Sequence, residues 1–139
     1  MTLKDAATDL VAAMTGNTIG GQALVTGRNL FAGLLGESQM RNLAVFVLNT
    51  GGTPPIPVIT PSRSAYFQSA VQVLVYAPGG SPGFILGEAL ARGVAGFLHQ
   101  LVPSGYVTVL ARDAQPVYLG PDPQDRHKWS TNFEARYVA

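Results

Sequence analysis

Tyr66-Phe67-Gln68-Ser69-Ala70-Val71-Gln72-Val73-Leu74-Val75-Tyr76 is the stretch on which the fold turns. Phe67, Ser69, Val71, Val73 and Val75 fall on one face of an extended chain, and Ala70, Gln72, Leu74 and Tyr76 on the other, the period of a β-strand. The last segment alternates in the same way. Trp129, Thr131, Phe133, Ala135 and Tyr137 point to one side and Ser130, Asn132, Glu134 and Arg136 to the other, which predicts a half-buried strand. A third strand is expected over Leu43–Leu48, an unbroken apolar run of six residues, too short for a helix and apolar enough to be covered on both faces.

Two helices surround these strands. Leu3, Ala6, Ala7, Leu10, Val11 and Met14 repeat at three- and four-residue steps and predict a helix over residues 3–14, capped by Thr2, with Asp5 in its first turn and Gly16 closing it. Pro78-Gly79-Gly80-Ser81-Pro82 predicts a turn into a second helix, with Ser81 as N-cap and Pro82 at the first helical position. Leu86, Leu90, Val94, Phe97, Leu98 and Leu101 form its stripe, and Pro103-Ser104-Gly105 its stop. Gly87, Gly93 and Gly96 each cost about 1 kcal/mol of helix propensity relative to alanine, so a close neighbouring backbone is expected there.

The remaining segments carry weaker signals. Ala23–Val25 reads as a short strand, and Asn29-Leu30-Phe31 running to Gly33 and Gly36 as a loop. Asn49–Pro55 also reads as a loop, prolonged by Pro57 and Pro61 in polyproline fashion. Tyr106–Ala111 and Pro116–Leu119 read as two short strands joined at Arg112-Asp113, with a further loop over Pro121–Arg126. The order of elements predicts an α+β fold over residues 1–139, a single domain with a mainly antiparallel sheet of four to five strands flanked by two helices.

Composition narrows the function. Nine Lys and Arg against eight Asp and Glu give a net charge of +1 with no basic run, unlike the footprint of a duplex-binding protein. No cysteine is present, which excludes disulfides and thiolate metal sites. No apolar run reaches 18 residues, and Asp5 and Asp9 interrupt residues 1–14 in a way foreign to a signal peptide, so no membrane association is expected. His99 and His127 have no partner at metal-ligand spacing and read as surface histidines; Asp122 and Asp125 read as turn residues rather than a calcium loop. Gly16–Gly21 lacks the Gly-Lys-Ser/Thr ending of a phosphate loop, and no serine stands in a nucleophile elbow. Neither an enzyme nor a cofactor is expected. Charged residues are only 12% of the chain, about half of the ordinary share, and arginines outnumber lysines seven to two. Both traits suit a subunit covered by partners.

Taken in order, several segments resemble a known family. Gly27-Arg28-Asn29-Leu30-Phe31-Ala32-Gly33-Leu34-Leu35 follows the first helix, and the apolar strand ends in Asn49-Thr50-Gly51-Gly52-Thr53-Pro54-Pro55. Val71–Tyr76 precedes the long helix, and Tyr118-Leu119-Gly120-Pro121-Asp122 leads through Arg126 to Trp129-Ser130-Thr131-Asn132-Phe133-Glu134. Over residues 1–138 this series resembles the tail terminator (tail completion, or minor capsid) proteins of long-tailed bacteriophages. It departs from them at Pro121-Asp122, where an Arg-Asp pair is common, and at Val73-Leu74-Val75, where charge is common.

The resemblance implies a virion protein made in the host cytoplasm. It implies a homo-oligomeric ring, usually of six copies, at the head-proximal end of the tail. Such a ring caps the tube, stops its polymerisation and joins it to the head connector or neck protein, with DNA only as passing cargo. The alternative is a head-completion or connector adaptor of the phage neck; a small binding module with an apolar groove beside the second helix is a third reading. Two stretches are expected to reach the tail tube protein or a neighbouring subunit, one with Asn29, Leu30 and Phe31 (the segment to Leu35), the other with Asn49, Gly51, Gly52, Pro54 and Pro55 (the loop to Pro57). A second interface candidate is the loop holding Gly120, Asp122, Arg126 and Lys128, with Asp122 and Arg126 paired within or between subunits.

Overall fold

The alternation in the middle and in the last segment of the sequence places its two longest strands side by side. In the computed structural model, which describes residues 3–33, 42–58 and 64–139, β6 (Ala65–Ala77) pairs antiparallel with β9 (His127–Val138) without interruption from Tyr66↔Val138 to Ala77↔His127. This register puts Val71, Val73 and Val75 beside Phe133, Thr131 and Trp129 on one face. Phe67 stacks on Tyr137 on the same face, with ring centroids 4.9 Å apart. All of these side chains are buried.

Other strands extend the sheet on both sides. β4 (Ala44–Gly52) pairs antiparallel with β6 on the side away from β9. β5 (Ile56–Pro57) continues along that same edge of β6, opposite Tyr66 and Ala65. β3 (Leu30–Ala32) lies parallel to β4. Beyond β9, β7 (Thr108–Ala111) and β8 (Val117–Pro121) share one edge, end to end, and do not pair with each other. The protein is therefore α+β with a mixed sheet, whose seven strands among the described residues fill five positions across. A separate hairpin joins β1 (Thr18–Ile19) to β2 (Gln22–Ala23). Its turn is Gly20-Gly21, both at positive φ, the conformation that a tight two-residue hairpin demands.

Helices α1 (Ala6–Met14) and α2 (Ser81–Leu98) both pack on the face that carries Val73, Trp129 and Phe133, and with it make the main core. On the opposite face a smaller cluster forms at one end. There Phe46 stacks on Phe31 at 5.2 Å and meets the edge of Tyr76 at 5.6 Å.

Several expectations are corrected. Asp5, not a residue upstream, caps α1. Its carboxylate accepts from the Thr8 amide at 3.2 Å and from the Thr8 hydroxyl at 2.7 Å, leaving Leu3 outside the helix; Thr2 lies outside the described residues. Gly80, at φ 88°, is the N-cap of α2, so Ser81 is already helical. That helix ends at Leu98 rather than Leu101, because Gln100 turns left-handed at φ 65° and its amide donates to Val109 of β7 at 2.6 Å. The expected loop at Asn29–Phe31 contains strand β3, while Gly36 lies outside the described residues. The expected loop after Leu48 is largely strand. β4 continues to Gly52 through a bulge between Asn49 and Gly51, and Ile56–Pro57 pairs with β6; Pro61 lies outside the described residues. The four to five antiparallel strands expected match the sheet only roughly: among the described residues it has seven strands, and β3 pairs parallel with β4, because strands with two or three pairs leave no period to read.

Of Gly87, Gly93 and Gly96, the expected close backbone is met at Gly93 alone, where it is that of the β1–β2 turn; Gly87 meets side chains. A Cβ on Gly87 would overlap the Trp129 ring, and one on Gly93 would stand 2.7 Å from the Gly20 backbone nitrogen. Gly96 faces open space. Gly87→Ala and Gly93→Ala should therefore each destabilise the protein by about 1–3 kcal/mol through overpacking. Gly96→Ala should stabilise it by up to about 1 kcal/mol through helix propensity alone. Urea denaturation of the three variants checks the opposite signs.

Candidate functional site

The first pair of candidate stretches starts side by side, since β3 runs parallel to β4 and the Val45 amide donates to the Asn29 carbonyl at 2.8 Å. In the first of them the side chains are taken up within the chain. Asn29 folds back on its own loop, accepting from the Val25 amide at 2.8 Å and donating to the Ala23 carbonyl at 3.0 Å. Leu30 is fully buried in the main core, and Phe31 is stacked against Phe46. These two side chains hold β3 onto the protein's own body and are not offered to a neighbour; Leu34 and Leu35 lie outside the described residues.

Asn49 has an internal task as well. Its Oδ1 accepts from the Ala7 amide at 2.9 Å and its Nδ2 donates to Asp5 Oδ1 at 2.8 Å, so one side chain fastens the start of α1 to β4. The bond from Asn49, followed by those from the Thr8 side chain and amide, holds the Asp5 carboxyl below its ordinary value of 3.8. Gly51 and Gly52 have φ of 93° and 122°. A Cβ on Gly52 would collide with the Gln68 carbonyl, so this position requires glycine for space as well as for φ. Pro54 and Pro55 remain exposed. Together with Lys4, Gly51, Thr53, Phe67 and Tyr137, Pro55 borders an open cleft of about 450 Å³.

At the far corner of the sheet, Asp122 organises the second candidate. Its Oδ1 accepts from the amides of Gln124 and Arg126, both at 2.9 Å, and its Oδ2 lies 2.7 Å from Arg126 Nε and 2.6 Å from Nη2. Desolvation pushes the Asp122 carboxyl up, but the bonds from Arg126 and Gln124 outweigh it and leave the group below its ordinary value. The side chains of Arg126 and Asp122 keep only 11% and 15% of their exposure. Arg126 also lies over the Tyr76 ring at 5.5 Å, and Lys128 over the same ring at 5.4 Å. The Asp122–Arg126 pair is thus made within the chain. Gly120, at φ 78°, turns the end of β8 into this loop.

Sequence reasoning missed an aromatic cluster beside this loop. Phe84, in the first turn of α2, meets Tyr118 of β8 edge-on at 5.3 Å, His127 at 5.5 Å and Trp129 at 5.6 Å. His127 bridges Gly80 and Tyr118. Its Nε2 is 2.9 Å from the Gly80 carbonyl, which can only accept, so Nε2 carries a proton. Its Nδ1 lies 2.7 Å from the Tyr118 hydroxyl. Trp129, fully buried, donates to Glu88 Oε2 at 2.6 Å, and Glu88 Oε1 holds Arg92 at 2.7 Å. His99 is exposed, as expected, and its Nδ1 accepts from the Ala111 amide at 3.0 Å, tying the end of α2 to β7; His127 is half-buried. The only trace of the cluster in the sequence is the turn that brings Phe84 onto β9, and residue spacing does not reveal which strand lies beneath a helix.

Buried Tyr106 makes a further internal tie. It donates to Asp9 at 2.6 Å, and burial first, then this bond and the Asp9 charge, raise its ionisation well above the ordinary tyrosine range. Among the described residues no three His, Cys, Asp or Glu side chains gather as a metal site would need, and no helix is long and apolar enough to cross a membrane.

The fold defines the class: an α+β protein whose mixed sheet bears both helices on one face. No family model matches the chain, and no curated protein matches it either.

Two outcomes follow from these placements. Asn49→Leu should cost about 1–2 kcal/mol at neutral pH, because it frees the Ala7 amide and removes a donor from Asp5. The stabilisation tied to the lowered Asp5 carboxyl is present above 3.8 and is lost as pH falls through the still lower folded value. The wild-type advantage should therefore narrow in acid, as measured by denaturant titration at pH 6 and pH 3 or so. Arg126→Ala should lower stability by about 1–2 kcal/mol and leave the oligomeric state unchanged, as read by light scattering, because its partner is internal.

Proposed function

We propose that this chain is a tail terminator: a structural virion protein whose copies form a ring on the head-proximal end of a phage tail tube, halting its growth and joining it to the head connector. The family reading rests on the ordered series of segments over residues 1–138. The structural observation that carries assembly is the apolar surface left on a protein so poor in charge. Phe84, Ile85, Tyr118 and Leu119 are exposed at one corner of the sheet, and Ile56, Val58 and Val138 at the other. Other large apolar side chains, among them Val25, Val102 and Val107, are exposed elsewhere on the chain; adjoining apolar groups such as those at the two corners are what mark a contact surface.

The physical requirement is a difference between two sides. A stacked tube lengthens because each ring presents a top that fits the bottom of the next. A terminator reproduces one of those surfaces and offers another to the head connector. Head-to-tail contacts between identical subunits close into a ring when the rotation permits, and closure hides sheet edges that would otherwise invite aggregation. No chemistry is asked of the chain, and the function is read as non-enzymatic.

Negative-stain imaging of the purified chain, alone and with headless tail tubes, tests the proposal. The expected result is rings with a central hole, seated on one end of the tubes. A monomer at all concentrations, or a small-molecule turnover, overturns it. Rings that bind the connector and ignore bare tubes favour the neck adaptor instead.

A further inference from the structure

The two edges of the sheet are protected differently. On β7 the outward groups of Val109 are taken up: its amide donates to the Leu101 carbonyl at 2.9 Å and its carbonyl accepts from Gln100. The Ala111 amide is taken by His99. Along β8, on the same edge, no such bond reaches the outer side among the described residues. Val117, Tyr118 and Leu119 are exposed there. Beside them the first turn of α2 exposes Phe84 and Ile85, the latter 66% accessible. Gly80, Ser81, Phe84, Ile85 and His127 border an open groove of about 510 Å³. Its aromatic walls are fixed, because His127 is held by Gly80 and Tyr118, and Tyr118 and Phe84 both rest on Trp129.

At the diagonally opposite corner runs Thr53-Pro54-Pro55-Ile56-Pro57-Val58. Three prolines fix much of its backbone in an extended form before any contact is made. Ile56 and Pro57 pair with β6, the Thr53 amide donates to the Gln68 carbonyl at 3.3 Å and the Val58 amide to the Ser64 carbonyl at 3.1 Å, and Ile56 is 51% exposed. Pre-ordered proline-rich segments dock in aromatic-lined grooves because little entropy remains to be lost. Neither partner in such a contact carries Asp, Glu, Lys or Arg: none occurs in residues 53–58, 80–85 or 117–120. Docking would bury no unpaired charge.

The two features are out of reach of each other within one chain. Ile56 lies opposite Tyr66, whereas Tyr118 lies opposite Trp129, which faces Val75 of β6. Nine residues of strand and three inter-strand spacings separate them, roughly 30 Å along the sheet and roughly 14 Å across it. Two complementary surfaces on opposite edges of one molecule give a heterologous contact, which propagates in one direction and closes when the rotation permits.

We propose that the Pro54–Val58 segment of one copy lies in the groove bordered by Gly80, Ser81, Phe84, Ile85 and His127 of the next copy, beside Tyr118. This rests on the reading of the chain as a ring subunit and names the contact that builds the ring.

The test uses the full chain and two exposed positions, with sedimentation velocity and native mass spectrometry as readouts. Ile85→Asp disables the groove and leaves the segment; Ile56→Asp disables the segment and leaves the groove. Each variant alone should be monomeric where the wild type is assembled, with association weakened at least about tenfold. Mixed one to one, they should form a heterodimer that grows no further, since only one intact contact is available. Ile85→Ser and Pro55→Ser carry the same expectation if an aspartate variant loses its native circular dichroism. Variants that assemble like the wild type overturn the contact and leave the ring reading standing. Monomeric variants that do not combine show that the two surfaces are not each other's partners. A wild type that is monomeric throughout removes both readings.

Discussion

The pairing of β6 with β9 is the constraint on which the remaining structure depends. It joins residues about sixty positions apart in the chain, and its uninterrupted register sets which side chains face the helices. A slip of one residue would carry Val71, Val73, Val75, Trp129 and Phe133 to the wrong face together. Each large side chain buried there contributes about 1.5–3 kcal/mol, so the correct register is favoured by the whole set at once. The short strands are additions to this pair. β4 and β5 take one edge of it, β7 and β8 the other.

The helices are fitted to that ladder by absence of side chain as much as by presence. Gly87 lets α2 settle on Trp129, and Gly93 lets the Gly20 turn cross the helix at backbone distance. Polar groups lock the fit: Asn49 binds the start of α1, Tyr106 binds Asp9, and Glu88 binds the Trp129 indole. All three ties join residues far apart in sequence.

What was legible in the residues follows from the same physics. Long periodic segments declare themselves, so the strands at Tyr66–Tyr76 and Trp129–Tyr137 and the body of both helices were readable, as was the α+β class. Ends and short pieces depend on partners. Asp5 and Thr2 both qualify as caps by type, and Asp5 is the one whose carboxylate meets Thr8 and Asn49. β3, with three residues, has too few positions to show alternation, and only its parallel fit to β4 makes it a strand. Among the candidate contacts, glycines, prolines and an Asp-Arg pair were conspicuous by type; Leu30 is buried and Asn49, Asp122 and Arg126 bond within the chain, while Asn49, Gly51, Gly52, Pro54 and Pro55 stay exposed. Side chains suited to turns are needed first by the chain's own turns, and composition alone does not tell the two uses apart.

The surfaces left over are then of a particular kind. With the conspicuous polar side chains bonded within the subunit, two of its exposed stretches are apolar and uncharged: Phe84, Ile85, Tyr118 and Leu119 at one corner, and the segment of Pro54, Pro55, Ile56 and Val58 at the other. A monomer gains nothing from this distribution, because exposed apolar area lowers solubility and an unprotected strand edge such as β8 invites unplanned pairing. Prolines at both ends of β8, Pro116 and Pro121, limit how far any pairing extends along it. That restriction sets the length of chain the edge accepts to a few residues, which suits a short pre-extended segment better than another full strand.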